Sequence, residues 1–235
     1  MRKGIICDGN EEEISFEKCR NCALRGKMLC GQDPAYVLDV LRMIDGYTPT
    51  QRDRPSLSVT DLTAICHRQN YIKANYDYYE KPSKLYFLWR GNLVHKLLER
   101  VENPHWIKEK KFTVKWQIKL HGELIDVYIV MKPDVIDTST LEIRDYKTTG
   151  SCFKATKNHA MSHKYQLGLY RWGVKKHYDI LCKTYYDSYF DMKQPMLYPV
   201  TIMPFEQVEK LIQKQGAIIL DYRLNGVVPP VLKRF

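Results

Sequence analysis

An acid and an amine two residues apart carry the most pointed chemistry in this chain. They are Asp145 and Lys147, in the run Leu141-Glu142-Ile143-Arg144-Asp145-Tyr146-Lys147-Thr148-Thr149-Gly150. The run alternates in character and closes on Thr-Thr-Gly, the pattern of a short strand followed by a turn. Side chains two apart on a strand share a face, so Asp145 and Lys147 point together and Tyr146 points away. A carboxylate beside an ammonium suits a site that binds a divalent cation and needs positive charge beside an attacking water. An isolated Asp-x-Lys on a surface would be an ion pair of little worth. What stands before and after it therefore decides.

Before it stands Pro133-Asp134, on a strand expected to pair with the Asp145 strand across the turn Thr138-Ser139-Thr140. Earlier still, Gly91 and His95 lie four apart on an expected helix and so share a face. Glycine one turn from a histidine lets a ligand or another backbone come close. Two carboxylates from neighbouring strands and an imidazole from a packed helix would form an O/N cage suited to Mg²⁺ or Mn²⁺. After the pair, Gln166 and Tyr170 sit one turn apart on a further helix.

The elements that must position these residues are legible in outline. Phe112, Val114, Trp116 and Ile118 alternate with Thr113, Lys115, Gln117 and Lys119, as in a half-buried strand. His121-Gly122-Glu123 turns, residues 124–131 return, and residues 133–137 continue before the Asp145 strand. A long helix begins near Ser83 and ends at Asn103-Pro104. Strands are expected over 180–189 and 196–202, then a helix from Pro204 to Gly226. The stripe of that last helix (Val208, Leu211, Ile212, Ile218, Ile219, Tyr222) reads as core. Tyr76, Tyr78, Tyr79, Tyr86, Phe87 and Trp89, set among Lys73, Lys81, Lys84 and Arg90, could stack bases and follow phosphates.

The N-terminal segment has its own chemistry. Cys7, Cys19, Cys22 and Cys30 cluster, with Cys19-Arg20-Asn21-Cys22 at the centre. A CxxC turn chelates through both thiolates, and two more cysteines complete a tetrahedral site. The intervening residues are too polar to fold without such a staple. Zinc is the first choice and an iron–sulfur cluster the second. A helix is expected over 33–46, opened by Asp33-Pro34. A polar linker with prolines over 48–55 separates this appendage (residues 1–47) from the main domain (residues 56–235).

With 37 Lys+Arg against 27 Asp+Glu, the formal net charge of +10 favours a polyanionic partner, nucleic acid before membrane. No apolar run approaches the length needed to span a bilayer. The N-terminus lacks the apolar core of a signal peptide, and the odd cysteine count points to metal ligation in a reducing compartment. A cytoplasmic location is the expectation.

The order Gly91-x-x-x-His95, Pro133-Asp134, Asp145-x-Lys147 and Gln166-x-x-x-Tyr170 resembles the PD-(D/E)XK nuclease superfamily. Its RecB-type branch, with phage-type exonucleases and CRISPR-associated relatives, is the nearest, and the likeness covers residues 58–230. The resemblance implies an α/β (α+β) fold with a restriction-endonuclease-like core, a mixed central β-sheet flanked by helices. It implies a Mg²⁺- or Mn²⁺-dependent nuclease cleaving DNA, as single strands or duplex ends, alongside recombination, repair, phage or CRISPR partners. Carried over, His95, Asp134, Asp145 and the Tyr146 carbonyl would be metal ligands. Many relatives carry a Gly-x-x-Asp-like phrase where this chain has Gly122-Glu123-Leu124-Ile125-Asp126, which makes Asp126 a rival first carboxylate. Asp134 is preferred because it is the nearer residue across the turn to Asp145. Lys147 would orient the water, and Gln166 and Tyr170 would hold the lysine and the DNA. Several relatives also bind a [4Fe-4S] cluster through one cysteine near the start of the nuclease domain and three at its far end. Cys66 stands where the first would be, but only Cys182 follows Tyr170. The alternative to a nuclease is a DNA-binding or assembly module that retains the fold without catalysis.

Overall fold

The computed structural model describes residues 2–7, 10–26, 30, 33–34, 37–38, 41, 56–64, 66–75, 78–80, 82–157, 160–191 and 195–229. In chain order they form β1 (Arg2–Ile6), β2 (Glu13–Ser15), α1 (Phe16–Leu24), β3 (Ser56–Ser58), α2 (Val59–Leu62), α3 (His67–Asn75), β4 (Tyr78–Glu80) and α4 (Pro82–Leu98). Then come β5 (Trp106–Lys108), β6 (Phe112–Leu120), β7 (Glu123–Met131), β8 (Val135–Asp137), β9 (Glu142–Thr148) and α5 (Cys152–Lys157). The chain continues through α6 (Met161–Tyr178), β10 (Thr184–Phe190), β11 (Pro195–Pro199) and α7 (Phe205–Leu224). Two compact units result. One comprises Met1–Gln51 with Ile72–Val94, the other Arg52–Tyr71 with His95–Phe235.

In the first unit, β1 pairs antiparallel with β2 and parallel with β4. Ser15 caps α1, its Oγ accepting from the Lys18 N–H at 3.1 Å. Ile5, Cys19, Ala23, Val37 and Leu41 make a small apolar cluster. Most of the helix expected over 33–46, and all of the linker over 48–55, lies outside the described residues.

The second unit holds two sheets where the sequence suggests one. A three-stranded sheet runs β3-β7-β6, and a five-stranded sheet runs β11-β10-β9-β8-β5. The expected mixed sheet is present as the five-stranded one, but β6 and β7 stand outside it, and the cause is local. Pro133 has no N–H to donate to a ladder. Pairing of β7 with β6 ends at Met131, and the chain re-enters at Val135 in the other sheet. The five-stranded sheet is mixed, because β9 and β10 run parallel while its other neighbours are antiparallel. Parallel neighbours require a crossover. Here it contains α5 and α6.

The alternation along β6 buries Phe112, Val114, Ile118 and Leu120. Helix α6 buries Leu167, Leu169, Tyr170, Trp172 and Val174 against this layer, and α7 adds Val208, Ile212, Ile219, Leu220 and Tyr222. Trp116 and Trp172 meet edge to face, with ring centroids 5.2 Å apart. Two glycines set the closeness of this packing. A Cβ on Gly173 would overlap the Met131 sulfur, and one on Gly216 would overlap the end of Ile118. Ser58 and Asp61 form a reciprocal capping box on α2, with hydrogen bonds of 3.1 and 2.9 Å. Arg223 of α7 reaches Asp61 at 3.2 Å.

Candidate metal centre and its lysine

The register of the five-stranded sheet lines up four acids from distant parts of the chain. Strands β8 and β9 pair Val135 with Arg144 and Ile136 with Ile143. One step further, the same register sets Asp134 against Asp145. Towards β5, Lys108 faces Val135, and the next step sets Glu109 beside Asp134. There the Glu109 N–H donates to the Asp134 carbonyl at 3.1 Å. On the other flank Asp145 faces Asp187 of β10. Glu109, Asp134, Asp145 and Asp187 thus form a row across the sheet. Glu109 adopts a left-handed backbone (φ 49°), an uncommon conformation for a residue with a side chain and one often found where a site needs it.

These acids are removed from water, with relative exposures of 6% for Asp134, 2% for Asp145 and 0% for Asp187. Buried carboxylates need partners. His95, in the last turn of α4, places Nδ1 3.1 Å from Glu109 Oε1 and 3.4 Å from Asp134 Oδ1. Asp134 Oδ2 accepts the Tyr146 N–H at 2.5 Å. The Lys132 ammonium rests on Glu109 Oε2, and the Lys147 ammonium on Asp145 Oδ2. Gln166 of α6 ties the latter pair together: its Oε1 accepts from Lys147 at 2.9 Å, and its Nε2 donates to Asp145 Oδ1 at 2.9 Å. The same Nε2 lies 3.2 Å from the Tyr170 hydroxyl. At the far end, His163 Nδ1 lies 3.1 Å from Asp187 Oδ2 and 3.0 Å from the Tyr189 hydroxyl.

The electrostatics follow from these contacts. Hydrogen bonds to Asp134 and Glu109 push His95 up to about 10, so while no cation is bound the ring holds a second proton, which ligation would have to displace. Burial raises Glu109, yet His95 and Lys132 pull it below its ordinary value. Burial also pushes Asp145 up to about 6, against the pull of the Lys147 ammonium. For Lys147, burial opposes the charge but Asp145 outweighs it, and the ammonium is held more firmly than usual. Burial drives Tyr170 well above its ordinary range, so its hydroxyl stays neutral.

Among the described residues, one group places imidazole or carboxylate ligand atoms within 4.8 Å of one another: His95, Glu109 and Asp134. One nitrogen and two carboxylates fit Mg²⁺ or Mn²⁺. The structure thus brings together His95 and Asp134 as expected, and adds Glu109. Asp145 stands next in the row but outside that group, engaged by Lys147 and Gln166. Asp126 lies in the other sheet, 46% exposed, with Lys115 at 2.6 Å and Gln117 at 2.9 Å. It takes no part in this cluster. The shared face of Asp145 and Lys147 is present, as is the helical pair Gln166 and Tyr170. The Tyr146 ring meets His95 and Phe190 in T-shaped contacts.

Cys7, Cys19, Cys22 and Cys30 are in no disulfide, and no three thiols gather within ligand reach among the described residues. Cys66 is half-buried and Cys182 buried. Sequence reasoning missed Glu109, which is flanked by Lys108, Lys110 and Lys111 and looks like a solvated charge. It also missed Asp187, although an acid inside Tyr185-Tyr186-Asp187-Ser188-Tyr189 is out of place in a buried strand.

Fold and site together define a mixed α/β protein with several sheets and a row of carboxylates across one of them. Among solved structures it resembles the crystal structure of SSO0001, with a TM-score of 0.51 and 17% identity over 77% of this chain and 83% of that one. At that identity the likeness concerns the fold alone. No family model and no curated protein matches the sequence. No helix among the described residues is long and apolar enough to cross a membrane.

Proposed function

We propose that this chain is a metal-dependent deoxyribonuclease of the PD-(D/E)XK type, a cytoplasmic enzyme acting on single-stranded DNA or duplex ends. One observation carries the reading: the pair of half-buried Lys147 and fully buried Asp145, locked by Gln166, stands one strand away from the cluster of His95 and Asp134. A surface ion pair has no need of that burial, and a pure DNA binder gains nothing from carboxylates facing phosphates.

His95, Asp134 and Asp145, with the Tyr146 carbonyl, are the residues that would hold Mg²⁺ or Mn²⁺. Such an ion, when bound, lowers the pKa of water and offsets charge on a phosphodiester. The remaining work belongs to side chains. Lys147 keeps its proton, so its Nζ donates hydrogen bonds to an incoming water or to a non-bridging phosphate oxygen and stabilises charge that develops there. Gln166 fixes both members of the pair and leaves Lys147 few alternative rotamers. Tyr170, neutral and buried, supports Gln166 from behind. The excess of basic residues attracts the polyanion. Water adds to phosphorus as the bond to the leaving oxygen breaks, giving a phosphate monoester end and a hydroxyl end.

The deciding experiment incubates labelled single- and double-stranded DNA with the purified chain in Mn²⁺, in Mg²⁺ and in EDTA. Cleavage with metal and none in EDTA is the expected result. DNA binding without cleavage under any of these conditions would replace the enzyme with the binding module.

A further inference from the structure

We infer that Glu109 is a protein ligand to the divalent cation of this site, and that Lys132 holds its carboxylate while no cation is bound. The inference rests on the proposed metal dependence and assigns a ligand that the order of sequence motifs does not contain.

Three observations support it. Glu109 is fixed from its backbone: register places it beside Asp134, its N–H donates to the Asp134 carbonyl, and its φ of 49° turns the chain between β5 and β6. Its side chain, 13% exposed, points Oε1 at the same His95 nitrogen that Asp134 approaches. Three ligand atoms are therefore already gathered, whereas Asp145 is held by Lys147 and Gln166.

The other oxygen of Glu109 carries the Lys132 ammonium. Lys132 directly follows β7, in the short connection between the two sheets, and its side chain is 52% exposed. Among the described residues its other acidic neighbour is Glu99 at 4.0 Å. A half-exposed ammonium on a four-carbon stem can swing into water at little cost. A divalent ion brings twice its charge to the same carboxylate. Lys132 is thus placed as a tethered cation that a divalent ion displaces, so it lowers the affinity of the site.

The test is calorimetric titration of the EDTA-stripped 235-residue chain with Mn²⁺, with the Mn²⁺ electron paramagnetic resonance signal as a second readout. Glu109→Gln should weaken Mn²⁺ binding at least about 10-fold, the size reached by changes merely beside a ligand. Lys132→Met should tighten it about 5-fold, consistent with loss of a partly exposed ion-pair competitor. Misfolding cannot mimic that gain. Glu109→Gln binding within about twofold of wild type while His95→Ala loses the ion would overturn the assignment. So would a Lys132→Met variant that binds more weakly. Cleavage separates the two proposals. Unaltered Mn²⁺ affinity and cleavage in Glu109→Gln removes the ligand and keeps the nuclease. Glu109-dependent Mn²⁺ binding without any cleavage keeps the ligand and removes the nuclease.

Discussion

The backbone N–H of Tyr146 donates to the carboxylate of Asp134 at 2.5 Å. That bond joins the start of one strand to the middle of the next, between the two side chains that flank Tyr146 in sequence, Asp145 and Lys147. It fixes one Asp134 oxygen and leaves the other towards His95. The same residue therefore closes the sheet and opens the site.

Asp145→Asn and Lys147→Met should each reduce cleavage about 10²–10³-fold, the range for removing one preorganised charge-stabilising group. Burial adds a second expectation, because breaking a buried pair strands its partner. Each single change should lower stability by about 3–5 kcal/mol. The double substitution should recover much of that stability and none of the activity. Thermal melts beside the cleavage assay check both. Asp126→Asn should leave both near wild type, and a cleavage defect there would move the first carboxylate.

His95 gives a pH signature. Its folded value, about 10, lies above the ordinary 6.5, so its contribution to stability is complete below about pH 6.5 and is lost as pH rises through about 10. Melting of metal-free protein in EDTA should show wild type more stable than His95→Gln at pH 6, with the gap closing by pH 11. A gap that stays constant with pH would mean that the imidazolium adds nothing.

Two helical glycines should respond with opposite sign. At Gly173 an added Cβ meets the Met131 sulfur, and Gly173→Ala should destabilise by about 1–3 kcal/mol despite the better helix propensity of alanine. At Gly168 the nearest atom is Val208 Cγ2 at 3.4 Å, an ordinary contact. Gly168→Ala should therefore gain up to about 1 kcal/mol. Denaturant titration of both variants measures the difference.

The N-terminal thiols carry a separate proposal, a structural zinc or iron–sulfur centre on Cys7, Cys19, Cys22 and Cys30. Stoichiometric zinc with a colourless protein, or iron with visible absorption, is the expected elemental analysis. Protein free of both metals would leave these thiols as packing groups, as Cys19 already is beside Ile5 and Ala23.

DNA affinity should fall steeply with salt, with a log–log slope reporting several displaced counterions. Filter binding of the Asp145→Asn variant in EDTA, from low to moderate salt, measures it. A flat response would place recognition away from the phosphates.

The sequence by itself determined the local facts. The alternation along β6, the apolar stripe of α7, the common face of Asp145 and Lys147, and the helical spacing of Gln166 and Tyr170 each depend on one element's own periodicity. Tertiary structure decided how those elements meet. Glu109 and Asp187 enter the carboxylate row only through the pairing of strands far apart in the chain, and periodicity does not encode which strand lies next to which. The same holds for Asp126, whose strand belongs to a different sheet from Asp134 although only Lys132 and Pro133 separate that strand from Asp134. A proline without an N–H ended one ladder, and hydrogen bonds to distant strands began another.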